Sequence, residues 1–178
     1  MFSHGFTRAR VLDVGCDTGR HGRYLSSLGH QTLGLDNNET SIRDAKELAA
    51  IKKLGSSSCM YVVCNATALP IATNFDVILA NEMLHELPKR QSNQLLNELR
   101  ELTVAGGLHA ISGYIAEPGH PNEKNRRQAF QPGELRDLYE AEGWTVQDRD
   151  YIEIINPSTS FNGRTRLNSS VQMIAQKA

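Results

Sequence analysis

Short apolar runs alternate along this chain with stretches in which apolar residues recur every three to four positions, and the rhythm holds over most of its 178 residues. Compact β-prone runs at residues 10–14, 31–35, 60–64, 75–80 and 108–115 read as strands, and those at 60–64 and 75–80 are apolar enough for strands covered on both faces. Between them, residues 20–28 place Tyr24, Leu25 and Leu28 on one helical face and stop at Gly29. Residues 40–54 place Ile42, Ala45 and Ala49 at helical spacing behind the polar start Asn37–Asn38. Residues 89–103 form the clearest helix, with Leu95, Leu96, Leu99 and Leu102 as its stripe and Gly106–Gly107 ending it. A fourth helix, residues 132–142, opens on Pro132 and has Gly143 just past its end. Residues 144–154 and 167–176 read as two more strands, joined by a turn-rich segment around Asn156–Pro157 and Asn162–Gly163. The links at 65–74 and 116–131 are long, and the second, polar and charged, has the length of a binding loop or lid.

This order predicts one α/β domain over residues 1–178, with residues 1–10 as a short lead-in to the first strand. Its sheet is mostly parallel with an antiparallel hairpin at the C-terminus and helices on both faces, and ligands of such sheets sit at the carboxyl ends of the strands. Composition then narrows the partner. Lys plus Arg number 19 against 20 Asp plus Glu, so nothing in the totals points to nucleic acid or a membrane surface, and a small-molecule partner is favoured. Cys16, Cys59 and Cys64 have no metal-ligand spacing, and the chain shows no charged-then-apolar leader or long apolar run. The expectation is a soluble, cytoplasmic chain with reduced thiols and no metal.

The chemistry concentrates in "VLDVGCDTGR", residues 11–20. A dinucleotide turn needs G-x-G-x-x-G so that a pyrophosphate can approach the backbone. Here those places hold Gly15, Asp17 and Arg20, and a carboxylate there would repel it. What stands instead is Asp13-x-Gly15-x-Asp17-x-Gly19, which resembles motif I of the class I S-adenosylmethionine (SAM) methyltransferases. The resemblance implies a Rossmann-like class I methyltransferase sheet that binds SAM and releases S-adenosylhomocysteine (SAH). It assigns Asp13, Gly15, Cys16, Asp17, Gly19 and Arg20 to the cofactor turn, and Asp36, followed by Asn37, to the ribose hydroxyls at the end of the second strand. Asn65 and Ala66 take the adenine edge. "FDVILANEMLHEL", residues 75–87, resembles the fourth strand and the loop under the methyl group, which includes Asn81; "VAGGLHAI", residues 104–111, resembles the Gly-Gly turn into the fifth strand.

Read without the resemblance, several of these residues keep a plainer role open. Gly15 and Gly19 also suit an ordinary tight turn, Asp36 a helix cap, Asn65 a cap on its own loop, and His85 a helix-surface or core place. Arg126–Arg127 also suits a solvated pair. Asp17 tolerates positive φ, so the turn geometry survives it. Its carboxylate would stand near the amino-acid end of the cofactor, attracting the ammonium and repelling the carboxylate there.

"LDVGCDTGRHGRYLSSLGH", "LDNNETSI", "AFQPGELRDLYEAEGW" and the final "MIAQKA" together resemble the tellurite-resistance methyltransferases of the TehB type. In that family the turn runs into Gly-Arg-Asn, the late helix begins near Glu-Leu-Arg, and the chain ends close to an Ala-Arg-Lys tail. Gly19–Arg20, Glu134–Leu135–Arg136 and Ala175 to Lys177 match in place. Two features depart. The family's His-Arg pair between the last two strands has no counterpart, since Pro157–Ser158 fall about there and Arg164 and Arg166 are the nearby cations. The family also carries an N-terminal helical segment over the SAM site, whereas about ten residues precede the first strand here, so the site is either more open or closed by a partner chain in a homo-oligomer.

The reading is SAM-dependent methyl transfer to a small acceptor, of which a tellurite- or selenite-type oxyanion is one form; the alternative is a SAM-binding protein without turnover, acting as sensor or interaction module. Residues 81–85 and 114–127 are expected to line the acceptor side, because they follow the fourth and fifth strands. His85 or Tyr114 would orient a neutral nucleophile or take its proton, and Arg20, Arg126, Arg127 or Arg164 would hold an oxyanion. An RNA or protein methyltransferase is disfavoured, because the fourth strand is followed by Asn81-Glu82-Met83-Leu84 and not by an Asn-Pro-Pro-Tyr base-binding motif.

Overall fold

Strands β1 (Arg10–Val14), β2 (Gln31–Asp36), β3 (Cys59–Val63) and β4 (Phe75–Asn81) pair in parallel because each link between them carries a helix or a long loop back to the starting edge. The computed structural model describes residues 7–116, 129–154, 160–161, 164–165 and 169–178. Helices α1 (Arg20–Ser27) and α2 (Glu39–Ile51) follow β1 and β2, and a 3-10 turn at Leu84–Glu86 follows β4. After it come α3 (Lys89–Glu101), β5 (Thr103–Tyr114), α4 (Glu134–Glu140), β6 (Thr145–Ile154), the two-residue strands β7 (Ser160–Phe161) and β8 (Arg164–Thr165), and β9 (Ser170–Gln176). The main sheet has seven strands in the order β3-β2-β1-β4-β5-β9-β6, and β9 runs antiparallel to both of its neighbours. The expected fold class, a mostly parallel sheet with an antiparallel C-terminal hairpin, is what forms.

Strand alternation decides which helix covers which face. Leu12, Ile78, Ile111 and Met173 point to the side of α3 and α4, where they join Leu95, Leu99, Leu135 and Tyr139 in the largest core cluster. Val11, Val77, Leu79 and Ala110 point the other way and meet Leu25 of α1; Ile42 and Ala45 of α2 pack nearby on Cys59 and Tyr61. Most element bounds fall within a few residues of those read from the pattern, and two readings need correction. Residues 60–64 were expected to form a strand covered on both faces; β3 is instead an edge strand, with Met60, Val62 and Val63 45–46% exposed. Gly106–Gly107 was expected to stop the third helix. That helix ends five residues earlier, at Glu101, and β5 begins at Thr103, because Phe75 already pairs with Thr103 before a bulge carries the register to Val77–Leu108.

One buried polar chain ties α3, β5 and α4 together. The Thr103 hydroxyl donates to the Leu99 carbonyl (2.7 Å), so it accepts from His109 Nε2–H (2.7 Å), and His109 Nδ1 in turn accepts from the Tyr139 hydroxyl (2.6 Å). Burial pushes the His109 pKa down to about 3, so the ring stays neutral in the folded protein while the unfolded one protonates near 6.5. The depressed value means that this stabilisation is complete above pH 6.5 and is lost as pH falls toward 3. Urea unfolding of wild type and His109→Leu should therefore converge: the wild type's advantage shrinks by about 2 kcal/mol between pH 7.5 and 5. A difference between the two proteins that stays constant with pH would refute this.

Candidate functional site

The turn after β1 is pinned at its start by backbone bonds. The amides of Gly15 and Cys16 both donate to the Leu35 carbonyl (2.8 and 2.9 Å), which pins the turn against the end of β2. Gly15 and Gly19 adopt φ of +71° and +75°, and Asp17 takes +47°. Gly19 is the N-cap of α1. The left-handed conformation expected of Asp17 is thus present. Its carboxylate accepts from the Ser41 hydroxyl of α2 (2.8 Å), so the side chain is held toward α2.

Asp36, at the end of β2, closes the other side. Its Oδ2 accepts from the Asp17 amide and its Oδ1 from the Asn38 amide, both at 2.9 Å. One carboxylate therefore braces the glycine turn and the start of α2 at once. Helix capping at α2 itself falls to Asn38, whose Oδ1 accepts from Thr40 and Ser41.

Two cavities open at the carboxyl ends of the strands. The smaller, about 420 Å³, is walled by Val14, Gly15, Leu35, Asp36, Asn37, Asn65, Ala66, Met83 and Leu87 among others. The larger, about 670 Å³, runs from Cys16, Thr18, Arg20 and His21 across Ser112 of β5 to Gln172 and Ile174 of β9 and Ile152 of β6. Both volumes suit small ligands. Gly15, Asp17, Asn81 and Glu82 belong to both walls. Glu82 holds a φ of +52°, fixed by its amide donating to the carbonyl and the hydroxyl of Ser112 (3.0 and 3.2 Å). Positive φ at non-glycine residues such as Asp17 and Glu82 is strain that surrounding bonds must maintain.

Asp13 lies under the turn, 1% exposed, and its Oδ2 has no hydrogen-bond partner among the described residues. Burial, reinforced by the neighbouring Asp36 charge, pushes its pKa up to about 7. The group facing it is His21 of α1, whose Nδ1 is 3.9 Å from that oxygen and 3.5 Å from the Asn81 amide nitrogen. Arg20 stands on the other side of the ring, 3.3 Å from Nε2. Burial and the Arg20 charge lower the His21 pKa.

Of the residues expected for a cofactor, Gly15, Cys16, Asp17, Arg20, Asp36, Asn37, Asn65, Ala66 and Asn81 therefore line one cavity or the other. Asp13 sits beneath them, and Gly19 packs on Tyr61. Asn65 combines two of its readings, since its Oδ1 caps its own loop by accepting from the Thr67 amide and hydroxyl (2.9 Å each) while the residue faces the smaller cavity. His85 and Tyr114 are brought together with ring centroids 4.3 Å apart, but His85 is 3% exposed and neither lines the two cavities. Arg126, Arg127 and Arg166 lie outside the described residues, and the side chain of Arg164 is not described either. His21 was missed, although its place two residues past Gly19 on a helix leaving the turn marked it as site-facing. Among the described residues no cluster of three metal-ligating side chains occurs, and no helix is long and apolar enough to cross a membrane.

Known proteins share this sequence pattern and fold. A curated relative, the probable S-adenosyl-L-methionine-dependent methyltransferase TehB of Haemophilus influenzae, is 28% identical over 168 residues, covering 94% of this chain and 57% of the relative. The crystal structure of TehB from the same organism superposes with a TM-score of 0.81 at 25% identity, covering 97% of this chain and 59% of that one. The 1,6-didemethyltoxoflavin-N1-methyltransferase of Burkholderia thailandensis, solved with S-adenosylhomocysteine, shares the fold with a TM-score of 0.72 at 23% identity, covering 96% of this chain and 72% of that one. The chain thus spans a little over half the length of the TehB relatives it matches. Residues 5–157 match the family described as "Tellurite resistance protein TehB", and the chain belongs to that family.

Proposed function

We propose that this chain binds SAM in the smaller cavity and directs its methyl group to a small-molecule acceptor in the larger one. The observation that carries the reading is Asp36, a carboxylate on the wall of the smaller cavity whose two oxygens already brace the turn and have further lone pairs for a vicinal diol. The lining fits the rest of the cofactor. Leu35, Ala66, Met83 and Leu87 offer an apolar slot for a purine, with Asn65 at its edge. The orphaned Asp13 oxygen lies where a nearby positive charge would be favoured.

When bound, SAM supplies a methyl group already activated by its positive sulfur. The protein's task is then alignment, worth about 7–11 kcal/mol of barrier when an acceptor is well held. Asn81 and Glu82, on the wall between the cavities, would orient the acceptor, and His21 would take its proton where it has one. Arg20, His21 and Arg149 are cationic or polar groups in the larger cavity that would meet a tellurium or selenium oxyanion, the acceptor that the family's name suggests. The direct test is transfer of radiolabelled methyl from SAM to tellurite, selenite and a panel of small thiols, phenols and amines. Absence of any product from protein that binds SAH would defeat the enzymatic reading.

With its pKa lowered, His21 is neutral at pH 7 and available as a base. On whichever acceptor the screen returns, His21→Asn is expected to lower kcat about 10- to 100-fold while SAH affinity stays within about threefold. Wild-type turnover should be level near pH 7 and fall below the ordinary histidine range as the ring protonates. Equal kcat in both proteins would remove His21 from the acceptor side.

A further inference from the structure

Three glycines that no ligand contact explains surround one aromatic ring. A Cβ built on Gly19 would stand 2.5 Å from Cε1 and Cζ of Tyr61, one on Gly22 2.9 Å from its hydroxyl oxygen, and one on Gly34 2.6 Å from its Cδ1. Gly22 lies inside α1, where glycine costs about 1 kcal/mol relative to alanine, so its presence there needs a reason. The Tyr61 hydroxyl donates to the Gly19 carbonyl (2.9 Å) and accepts from the Cys59 thiol (3.3 Å). That same carbonyl accepts the Arg23 amide (3.0 Å), the opening bond of α1. Tyr61 is 4% exposed and lines neither cavity.

We propose that Tyr61 is a positioning residue for the cofactor turn: from β3 it reaches under α1, holds the Gly19 carbonyl, and so fixes the path of the turn, of which Gly15 and Asp17 line both cavities and Cys16 and Thr18 the larger one. The inference rests on the SAM-binding reading above and extends it to a side chain that touches no ligand. Physically, the turn is bonded at one end to Leu35 and at its middle to Asp36; at its far end the Arg23 guanidinium donates to the Thr18 carbonyl and the Gly19 amide to the Cys16 carbonyl, and the Tyr61 hydroxyl is the bond that ties this end to the sheet. Loss of that bond leaves the Gly19 carbonyl with the Arg23 amide alone, and the turn then samples more shapes where it meets α1.

The test uses SAH titration calorimetry, urea unfolding and amide exchange on three single variants and two double ones. Tyr61→Phe keeps the ring and removes the bond, and is expected to weaken SAH about 5- to 20-fold and to speed exchange of the Arg23 amide, alongside the modest fall in unfolding midpoint that a lost hydrogen bond brings. Gly22→Ala pushes on the hydroxyl and should weaken SAH to a similar extent. Combined with Tyr61→Phe it should add little further loss, because the oxygen it would meet is gone. Gly34→Ala, which meets ring carbons and the Cys16 sulfur, should not be relieved by Tyr61→Phe. SAH affinity unchanged in Tyr61→Phe and Gly22→Ala, with only the unfolding midpoint moved, overturns the proposal and leaves Tyr61 as core filling. Losses that multiply in the Gly22→Ala/Tyr61→Phe pair overturn it as well. Failure of the wild type to bind SAH would strike the cofactor reading itself, and in that case Arg23 exchange alone decides whether the hold exists.

Discussion

Asp36→Ala is expected to weaken binding of both SAM and SAH at least about 100-fold in calorimetric titration. Two losses add. The substitution deletes the acceptors proposed for the ribose diol, and it also frees the Asp17 and Asn38 amides, which the carboxylate now satisfies at 2.9 Å each. Charge-assisted bonds of this kind contribute about 1.5–3 kcal/mol apiece, so losing the two proposed to the diol reaches the stated size, and the freed amides add to it by loosening the turn. Asp36→Asn separates them, because an amide retains one acceptor oxygen and should fall between wild type and alanine. Undiminished binding by Asp36→Ala would place the cofactor elsewhere.

Asp13→Asn is expected to raise the stability of the ligand-free protein at pH 8 by up to about 4 kcal/mol while leaving it nearly unchanged below pH 4. The sign follows from the raised pKa of about 7 against an ordinary value of 3.8. A carboxyl whose folded pKa is raised contributes its stabilisation fully below 3.8 and loses it as pH climbs through 7, because the unfolded chain ionises first. The asparagine has no charge to bury and shows no such decline. Binding should run the opposite way. SAM carries a positive sulfur and SAH does not, so the preference for SAM over SAH should grow in wild type as pH rises from 6 to 8 and stay flat in the variant. Matching unfolding curves for the two proteins at pH 8 would show that the buried oxygen carries no such cost.

How much of this was legible beforehand depended on where the physical constraint resides. The strand at residues 10–14 and the turn behind it were readable because apolar run, acid and glycine spacing are local, and β1 has those bounds. The place of Asp36 at the end of β2, beside the turn, was readable through its distance from the glycines. The start of β5 was not, because Gly106–Gly107 carries a helix-stop signal, while the pairing of Thr103 with Phe75 that sets the strand is visible only across the sheet. The edge position of β3 was hidden for the same reason, since an apolar run looks alike at the centre and at the rim. His85 drew notice as a histidine near the methyl-side loop, yet the 3-10 turn rotates it onto Tyr114 and into the interior. Tyr61 carried no signal at all, because its role depends on three glycines spread over two other elements.

The wall shared by the two cavities links their energetics as well as their shapes. Gly15, Asp17, Asn81 and Glu82 face a cavity on either side, and Asp17 and Glu82 hold strained backbone angles that neighbouring bonds must sustain. Whichever ligand arrives first stiffens that partition and completes the surface offered to the second. Binding on such a partition is coupled, so each of the two proposed ligands is expected to tighten the other, whichever enters first.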